Sequence, residues 1–248
     1  MASALNKAFR VIRLLRRNGP TSLTEVARSL KLAPSSAHSI LGELLNEGII
    51  VQDVDRRYRL GPSMFYLGAA YARSVPIYRA GWSQLVEAAR EFTLTAVIAV
   101  PWEKHHLMLA VHHNGGPDLD VAFGGRVPLD AGSFGKAYFA WSGVKVEKQL
   151  TAYTPDSITD MRQYSIDLAQ ARERGYATDG QEFTVGVGAV TSGVTSDRGF
   201  EGIVSMIGSI AQFNASGFDN AGRRLAALAA RASFALGDPG RVKVVGED

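Results

Sequence analysis

The chain has 248 residues, with 27 Lys and Arg against 24 Asp and Glu, no Cys, and 46% hydrophobic residues. This length corresponds to one large domain or two ordinary ones, and the apolar share suffices for packed cores, which excludes wholesale disorder. The lack of Cys excludes disulfides, thiolate metal sites and a Cys nucleophile, and it fits a reducing, cytoplasmic setting. No stretch approaches the ~20 apolar residues of a membrane span, so we expect no membrane segment.

The charge is unevenly distributed along the chain. Residues 1–61 carry ten basic and five acidic side chains, a net charge of +5, whereas the remainder carries −2. A small basic module joined to a slightly acidic body indicates contact with a polyanion at one end. A solvated basic face would give the same count, so charge alone does not decide between the two.

The first residues predict two short helices. One amphipathic stripe predicts the first helix; its members are Leu5, Ala8, Phe9, Ile12 and Leu15. Residues 18–20, Asn-Gly-Pro, end this helix because Gly accepts a left-handed cap and Pro cannot continue a helix. Ser22 and Glu25 then have the spacing of a capping box at the start of the second helix.

A third helix is predicted from Pro34, a residue that favours the first helical position. Its buried stripe is Ala37, Ile40, Leu41 and Leu44. The opposite face is small, polar and nearly uncharged, unlike an ordinary solvated helix, and it consists of Ser35, His38, Ser39, Gly42 and Asn46. Two strands around a turn at residues 53–56 follow.

Three helices followed by a basic hairpin predict a winged helix-turn-helix over residues 1–61. In this arrangement the third helix reads base edges in the major groove, and arginines contact phosphates. The predicted DNA contacts are Ser22, Ser35, Ser36, His38, Ser39, Asn46, Arg56 and Arg57. The alternative is a helical subdomain that only packs on the rest of the chain.

These residues resemble the DNA-binding half of the IclR family of bacterial transcription regulators. The matching motifs are L-x-E-V-A-x-x-L from Leu23, L-x-x-x-G from Leu44, and Y-R-L-G from Tyr58. The family usually has an arginine in the middle of the third helix, where this chain has Ser39. We therefore expect a base preference or a phosphate contact that differs from the family norm.

Residues 62–79 predict a linker helix that is apolar on more than one side, which favours self-association. In the family that this sequence resembles, the linker helix pairs protomers, so we expect a homodimer or tetramer. A dimer would place two third helices about 34 Å apart, on a palindromic operator. The alternative is a helix that packs only on its own second domain.

Residues 80–248 predict an α+β domain, an antiparallel sheet with helices on it. Predicted strands cover residues 95–100, 107–111, 121–123, 185–194 and 203–210. Predicted helices cover residues 133–141, 166–174 and 218–236, after a helix that contains Trp82, Leu85, Ala89 and Phe92.

This half resembles the family's GAF-like effector-binding domain, in P-L-D-A-G-S-F-G-K-A from Pro128, R-x-R-G-Y from Arg172, and Glu182 to Gly186. The resemblance implies a small-molecule pocket at Ser133, Phe134, Asp179, Ala189, Ser205 and Ile207. Ser133 would head a helix whose free N–H groups favour an anion such as a carboxylate. Trp102 is a further candidate for the apolar wall, and all of these residues could instead be core and capping residues.

Catalytic and cofactor chemistry does not assemble in the sequence. His105-His106 and His112-His113 would lie ~20 Å apart on one strand, so the four cannot share one metal ion. A site that combines one pair with Glu103 stays open, but we expect no metal, no cofactor and no enzyme. No G-x-S-x-G, H-E-x-x-H or paired-carboxylate spacing is present.

The main hypothesis is a ligand-responsive repressor of a catabolic or metabolic operon that binds double-stranded DNA and a small carboxylic or aromatic acid. An activator of the same class is the alternative. A second hypothesis is a small-molecule sensor or enzyme whose first domain mediates protein contacts. A third is an architectural DNA binder without an effector.

Overall fold

The computed structural model describes residues 3–115, 121–146 and 149–238. The chain divides between Tyr71 and Ala72 into two compact units. The first unit contains α1 (Ala4–Asn18), α2 (Leu23–Leu30), α3 (Pro34–Asn46), β1 (Ile50–Gln52) and β2 (Tyr58–Leu60). The division falls within α4 (Pro62–Ser74). The second unit continues with α5 (Pro76–Glu91), β3 (Thr95–Trp102), β4 (His105–His112), β5 (Arg126–Pro128), α6 (Gly132–Trp141), α7 (Met161–Arg174), β6 (Ala177–Gly180), β7 (Val187–Ser196), β8 (Gly199–Ser209), α8 (Ile210–Ser216) and α9 (Phe218–Ala235).

The first unit has the predicted winged helix-turn-helix architecture. The capping box of α2 is complete, since Ser22 and Glu25 bond reciprocally, and Pro34 occupies the first turn of α3. Strands β1 and β2 form an antiparallel hairpin that pairs Ile50 with Leu60. A compact core joins the three helices to the hairpin; its buried residues are Val11, Leu14, Leu15, Val26, Leu41, Leu44, Ile50 and Tyr58.

The buried face of α1 differs from the predicted stripe. Val11, Leu14 and Leu15 face the core, whereas the side chains of Leu5 and Phe9 are 67% and 50% exposed. Of the stripe that begins at Leu5, Leu15 is buried in the core and Ala8 and Ile12 pack against it, so that Leu5 and Phe9 form an exposed apolar end. The predicted amphipathic helix is present, and periodicity alone does not show how much of its apolar stripe faces the core.

The helix predicted over residues 62–79 is two helices in the structure. Helix α4 ends at Ser74, Val75 is extended, and Pro76 begins α5. Proline disfavours a helical conformation in the residue before it, which explains the break at Val75.

The second unit is built on one six-stranded antiparallel sheet with the strand order β5-β4-β3-β8-β7-β6. Helices α5 and α9 contribute Leu85 and Leu225 to the core on one face, which also contains Ile98 of β3. Helices α6 and α7 contribute Ala137 and Leu168 to the core on the other face. Val97, the residue before Ile98 on β3, also belongs to this second core. Successive strand residues point to opposite faces, so β3 supplies both cores. The prediction of an α+β class is confirmed.

Two strand assignments differ from the sequence prediction. Residues 121–123 form no strand, and the edge strand β5 comes later, at Arg126–Pro128, paired with the start of β4. The short strand β6 was not predicted, because its residues Ala-Thr-Asp-Gly are typical of a turn and become a strand only by pairing with β7.

Candidate DNA-binding and effector sites

The solvent face of α3 is the candidate surface for base recognition. Ala37, Leu41 and Leu44 are buried and fix the orientation of the helix. As a consequence the side chains on the opposite face are exposed: Ser35, His38, Ser39 and Asn46. Ser36 is half-buried at the edge of this face. The face combines hydroxyl, imidazole and amide groups, which can donate to and accept from base edges.

The tip of the hairpin presents Arg56. This residue is exposed and has a φ of 58°, a left-handed conformation that the turn requires. The carboxylate of Asp53 stabilises the turn by accepting hydrogen bonds from the N–H groups of Asp55 and Arg57, at 3.1 and 2.8 Å. The backbone of Arg56 also bonds within the turn, to the Asp53 carbonyl and from the Gln52 amide, whereas its exposed side chain can reach a phosphate.

Two of the predicted DNA contacts, Arg57 and Ser22, also make hydrogen bonds within the protein. The guanidinium of Arg57 donates to the carbonyl of Pro20 at 2.9 and 3.1 Å and to the carboxylate of Glu25 at 3.0 Å. The Ser22 hydroxyl donates to Glu25 as part of the capping box. Hydrogen bonds from the Ser22 backbone and hydroxyl, assisted by Arg57, lower the pKa of Glu25. These groups fasten the hairpin to α2.

The six predicted effector residues lie together on the α6 side of the sheet. Asp179 on β6 pairs with Ala189 on β7, and Ala189 pairs with Ile207 on β8. Ser205 lies in the next row of the same face, and Ser133 and Phe134 come from the first turn of α6. Each of the six is at most 7% exposed. Trp102, by contrast, is exposed at the end of β3 and stacks with Arg126, so it does not join this group.

A chain of buried hydroxyl groups crosses the site. The Ser133 hydroxyl lies 2.8 Å from that of Thr191, which lies 2.8 Å from that of Ser205. Ser205 in turn donates to the carbonyl of Val190 at 3.0 Å. Because Ser205 donates to a carbonyl, Thr191 donates to Ser205 and Ser133 donates to Thr191. The Ser133 oxygen can therefore still accept a hydrogen bond from a ligand.

One N–H group of the first turn of α6, that of Ser133, is already bonded to a carboxylate of the protein. The carboxylate of Asp179 accepts from the backbone of Glu182 at 2.6 Å, and also from the backbone N–H groups of Phe183 and Ser133. Gly132 permits this approach, since a Cβ there would lie 2.0 Å from the Asp179 carboxylate. Burial raises the pKa of Asp179 in spite of these bonds. An internal carboxylate therefore occupies the position expected for an anion.

A buried cation lies one helical turn further along α6. Lys136 is 2% exposed, and its ammonium group donates to Asp167 at 2.8 Å and to Glu182 at 2.6 Å. Burial raises the pKa of Glu182, against the opposing effect of Lys136. With Asp179 nearby, the surroundings of Lys136 hold more carboxylates than cations.

A small polar cavity adjoins the same turn and was not predicted from the sequence. Its lining includes Asp130, Gly132, Tyr153, Tyr164 and Glu182, and the volume open to a water-sized molecule is about 10 Å³. The predicted helix began at residue 166 and so left Tyr164 out, although Tyr164, Leu168 and Ala171 form the buried stripe of α7. That spacing was the available signal.

The histidine pairs do not form a metal centre in the structure. Among the described residues no group of three His, Cys, Asp or Glu side chains could hold a metal ion. His106 is instead buried between aromatic rings, at 5.6 Å from the centroid of Phe134 and 5.7 Å from that of Tyr138. Within the described ranges no helix is both long enough and apolar enough to cross a membrane.

A winged helix-turn-helix followed by a two-faced α+β unit with a buried polar site defines a DNA-binding regulator with an effector domain. The family model "Bacterial transcriptional regulator IclR C-terminal" matches residues 69–234, and "IclR helix-turn-helix domain" matches residues 4–54. The chain belongs to the IclR family of bacterial transcription regulators, as its motifs predicted.

Individual relatives agree with this assignment. The regulator BhcR of Paracoccus denitrificans is 30% identical over 76% of this chain and 71% of its own length. The repressor AllR of Salmonella paratyphi A is 24% identical over 95% and 90% of the two chains. An IclR homolog of Microbacterium hydrocarbonoxydans, solved with 4-hydroxybenzoate, shares the fold with a TM-score of 0.81, 19% identity, and coverage of 94% and 99%. The relatives are named as regulators or repressors, not as enzymes.

Proposed function

We propose that this regulator is an effector-responsive repressor that binds a palindromic operator in the cytoplasm and thereby controls a catabolic or metabolic operon. The observation that carries the proposal is the exposed polar face of α3, which consists of Ser35, His38, Ser39 and Asn46. The opposite face of α3 packs into the core of the first unit, which fixes the orientation of the helix. Arg56 at the hairpin tip supplies a cation for the phosphate backbone. Repressor relatives such as AllR support this direction of control.

Palindromic recognition rests on self-association, for which two apolar surfaces provide support. Leu5 and Phe9 of α1 have exposed side chains. Helix α4 exposes four large apolar residues over more than one side, which are Phe65, Tyr66, Leu67 and Tyr71. Apolar clusters of this kind on a polar protein mark protein–protein contacts. We propose that they form a homodimer, which can assemble further into a tetramer.

The proposed effector is a small carboxylic or aromatic acid, bound where Ser133, Phe134, Asp179, Ala189, Ser205 and Ile207 converge. Phe134, Ala189 and Ile207 offer an apolar wall, and the hydroxyl chain offers a few directed polar contacts, which is the usual composition of a ligand site. A homolog with this fold was solved with 4-hydroxybenzoate. Effector and DNA affinity would be coupled reciprocally.

The DNA-binding half of the proposal is tested with the double variant Ser35→Ala/His38→Ala. Fluorescence anisotropy would compare its affinity for the operator and for a scrambled duplex of equal length. We expect the ratio of the two affinities to fall by ~10-fold or more, since each base contact contributes ~1–3 kcal/mol. The control Ser83→Ala changes an exposed serine of α5. An unchanged ratio in the double variant would refute the assignment of α3.

The effector half is tested with a thermal-shift screen of small carboxylic and aromatic acids on the full chain. A ligand at 100 times its Kd stabilises the protein by ~2.7 kcal/mol and raises its Tm. Ser133→Ala and Ser205→Ala should weaken that shift because each removes a link of the hydroxyl chain. A repressor that its effector inactivates should release the operator when the same acid is added.

A further inference from the structure

Tyr164 has a buried hydroxyl group without a protein partner. The residue is 3% exposed, and its hydroxyl accepts and donates no hydrogen bond within the part of the chain that the structure describes. Most buried hydroxyl groups are paired, because losing water without a replacement bond costs free energy. The Tyr164 side chain lines the small polar cavity beside the first turn of α6. An unpaired group facing a cavity indicates that an occupant completes its bonding.

The walls of the cavity define the chemistry of that occupant. Burial and the nearby Asp130 raise the pKa of Tyr164, so its hydroxyl keeps the proton and is able to donate. Asp130 and Glu182 contribute carboxylates as acceptors. Hydrogen bonds from Tyr153 and Thr151 outweigh burial and lower the pKa of Asp130, which keeps it charged. The occupant must therefore accept from Tyr164 and donate to a carboxylate.

The size and charge of the cavity exclude an acid group. A volume of about 10 Å³ for a water-sized molecule accommodates one non-hydrogen atom. A carboxylate has three such atoms, and two neighbouring carboxylates would repel it. A hydroxyl group has one oxygen, accepts and donates at once, and carries no charge. A hydroxyl group therefore fits the cavity in size, in hydrogen bonding and in charge.

The cavity lies next to the candidate effector site, through residues that border both. Gly132 lines the cavity, and its Cα also lies against the carboxylate of Asp179. Ser133, the next residue, begins the hydroxyl chain. Glu182 links the two regions as well, since its side chain lines the cavity and its backbone donates to Asp179. A ligand bound over the first turn of α6 can thus extend one polar atom into the cavity.

We propose that the cavity is the hydroxyl subsite of the effector site, and that Tyr164 is a specificity-determining residue that selects hydroxylated organic acids over their unsubstituted analogues. The inference rests on the proposed effector function, and it names the chemical class within it. The acid group of the ligand lies on the Ser133 side, and its hydroxyl oxygen bonds to Tyr164 and to a carboxylate of the cavity.

Isothermal calorimetry on the full chain tests the inference with matched acids. The pairs are propionate with lactate, butyrate with 3-hydroxybutyrate, and benzoate with 4-hydroxybenzoate. The wild-type protein should bind the hydroxylated member of at least one pair ~10-fold more tightly, which corresponds to one directed hydrogen bond. In Tyr164→Phe that preference should disappear, while the affinity for the unsubstituted acid stays the same.

Tyr176→Phe is the matched control. It removes a tyrosine hydroxyl that donates to Asp219 at 2.8 Å, away from the cavity, so it should keep the wild-type preference. Circular dichroism establishes that both variants fold. A preference that persists in Tyr164→Phe, or that is absent from the wild-type protein, overturns the inference but not the effector function.

Two further results would be decisive. If Tyr164→Phe lowers the Tm of the ligand-free protein and keeps the preference, the hydroxyl serves a structural water and the proposed subsite is wrong. If none of the six acids binds the wild-type protein, the proposed class of effector is wrong and the subsite falls with it. The two failures are therefore distinguishable.

Discussion

His106 should make the second unit sensitive to mild acid. Its side chain on β4 is fully buried, and neither ring nitrogen has a hydrogen-bond partner in the described ranges. Burial lowers the pKa of His106 from 6.5 to about 4, although the Leu129 backbone favours the protonated ring. Because the pKa is lower in the folded state, the unfolded chain takes up a proton first as the pH falls.

The magnitude follows from the two pKa values. The stability is fully present above pH 6.5 and decreases as the pH falls from 6.5 towards 4. Each pH unit in this window costs ~1.4 kcal/mol, so lowering the pH from 7.5 to 5.0 should cost about 2 kcal/mol through His106 alone. That is a substantial part of the ~5–15 kcal/mol that stabilises a typical domain.

Urea denaturation at pH 7.5 and 5.0 measures this cost in the wild-type protein and in His106→Leu. The three tryptophans, Trp82, Trp102 and Trp141, all lie in the second unit, so their fluorescence reports on the unit that contains His106. The leucine variant should lose about 2 kcal/mol less between the two pH values. Carboxylates such as Asp179 titrate in both proteins, and their contributions cancel in the difference.

His38→Leu serves as the control, because His38 is exposed on α3 in the other unit and should leave the fluorescence-monitored pH dependence unchanged. An identical pH dependence in the wild-type protein and His106→Leu would refute the reasoning. It would mean that the ring is protonated or hydrated in the folded state.

Three further predictions concern the buried charges, the hairpin and the first turn of α6. Lys136→Met should destabilise the second unit by ~3–5 kcal/mol in urea denaturation, because it leaves the carboxylates of Asp167 and Glu182 without their cation. Adding Glu182→Gln removes one of these carboxylates and should recover part of the lost stability. Arg57→Ala should weaken operator binding as measured by fluorescence anisotropy. If Arg57 acts by fastening the hairpin to α2 through Glu25, then Glu25→Ala should weaken binding as well. If only Arg57→Ala weakens binding, Arg57 contacts a phosphate directly. Gly132→Ala should lower stability by ~1–3 kcal/mol and abolish any effector-induced Tm shift, since φ is 45° there and a Cβ would overlap the adjacent carboxylate; a normal Tm and a normal shift would contradict the described first turn.

The first unit could be predicted closely because its signals are local. A capping box at Ser22 and Glu25, Pro34 at the start of α3, and two short strands around a polar turn each depend on neighbours within a few residues. The exposed stripe of Leu5 and Phe9 could not be distinguished from a core face, since that distinction depends on what α1 packs against.

The second unit was less predictable because its strands are defined by long-range pairing. Strand β6 exists through its register with β7, and β3 contains a bulge between Ile98 and Ala99 that no local residue pattern indicates. The family motifs did place the six candidate effector residues on one face. They gave no indication that Asp179 would cap α6, because that contact joins residues almost fifty positions apart and needs Gly132.

The carboxylate of Asp179 constrains how an acid could enter the proposed site. It already accepts the N–H group of Ser133 at the first turn of α6, and Lys136 is occupied by Asp167 and Glu182. An incoming carboxylate therefore finds hydroxyl groups at Ser133 and its neighbours whose protons are already donated along the chain, and no uncommitted buried cation there. Two adjacent carboxylates cannot both stay ionised without a large cost, and burial raises the pKa of Asp179, so its protonation costs less than that of an exposed carboxylate. Binding of an acid at this position thus entails either proton uptake by Asp179 or its rotation away from Gly132, and either change alters the contact between α6 and β6.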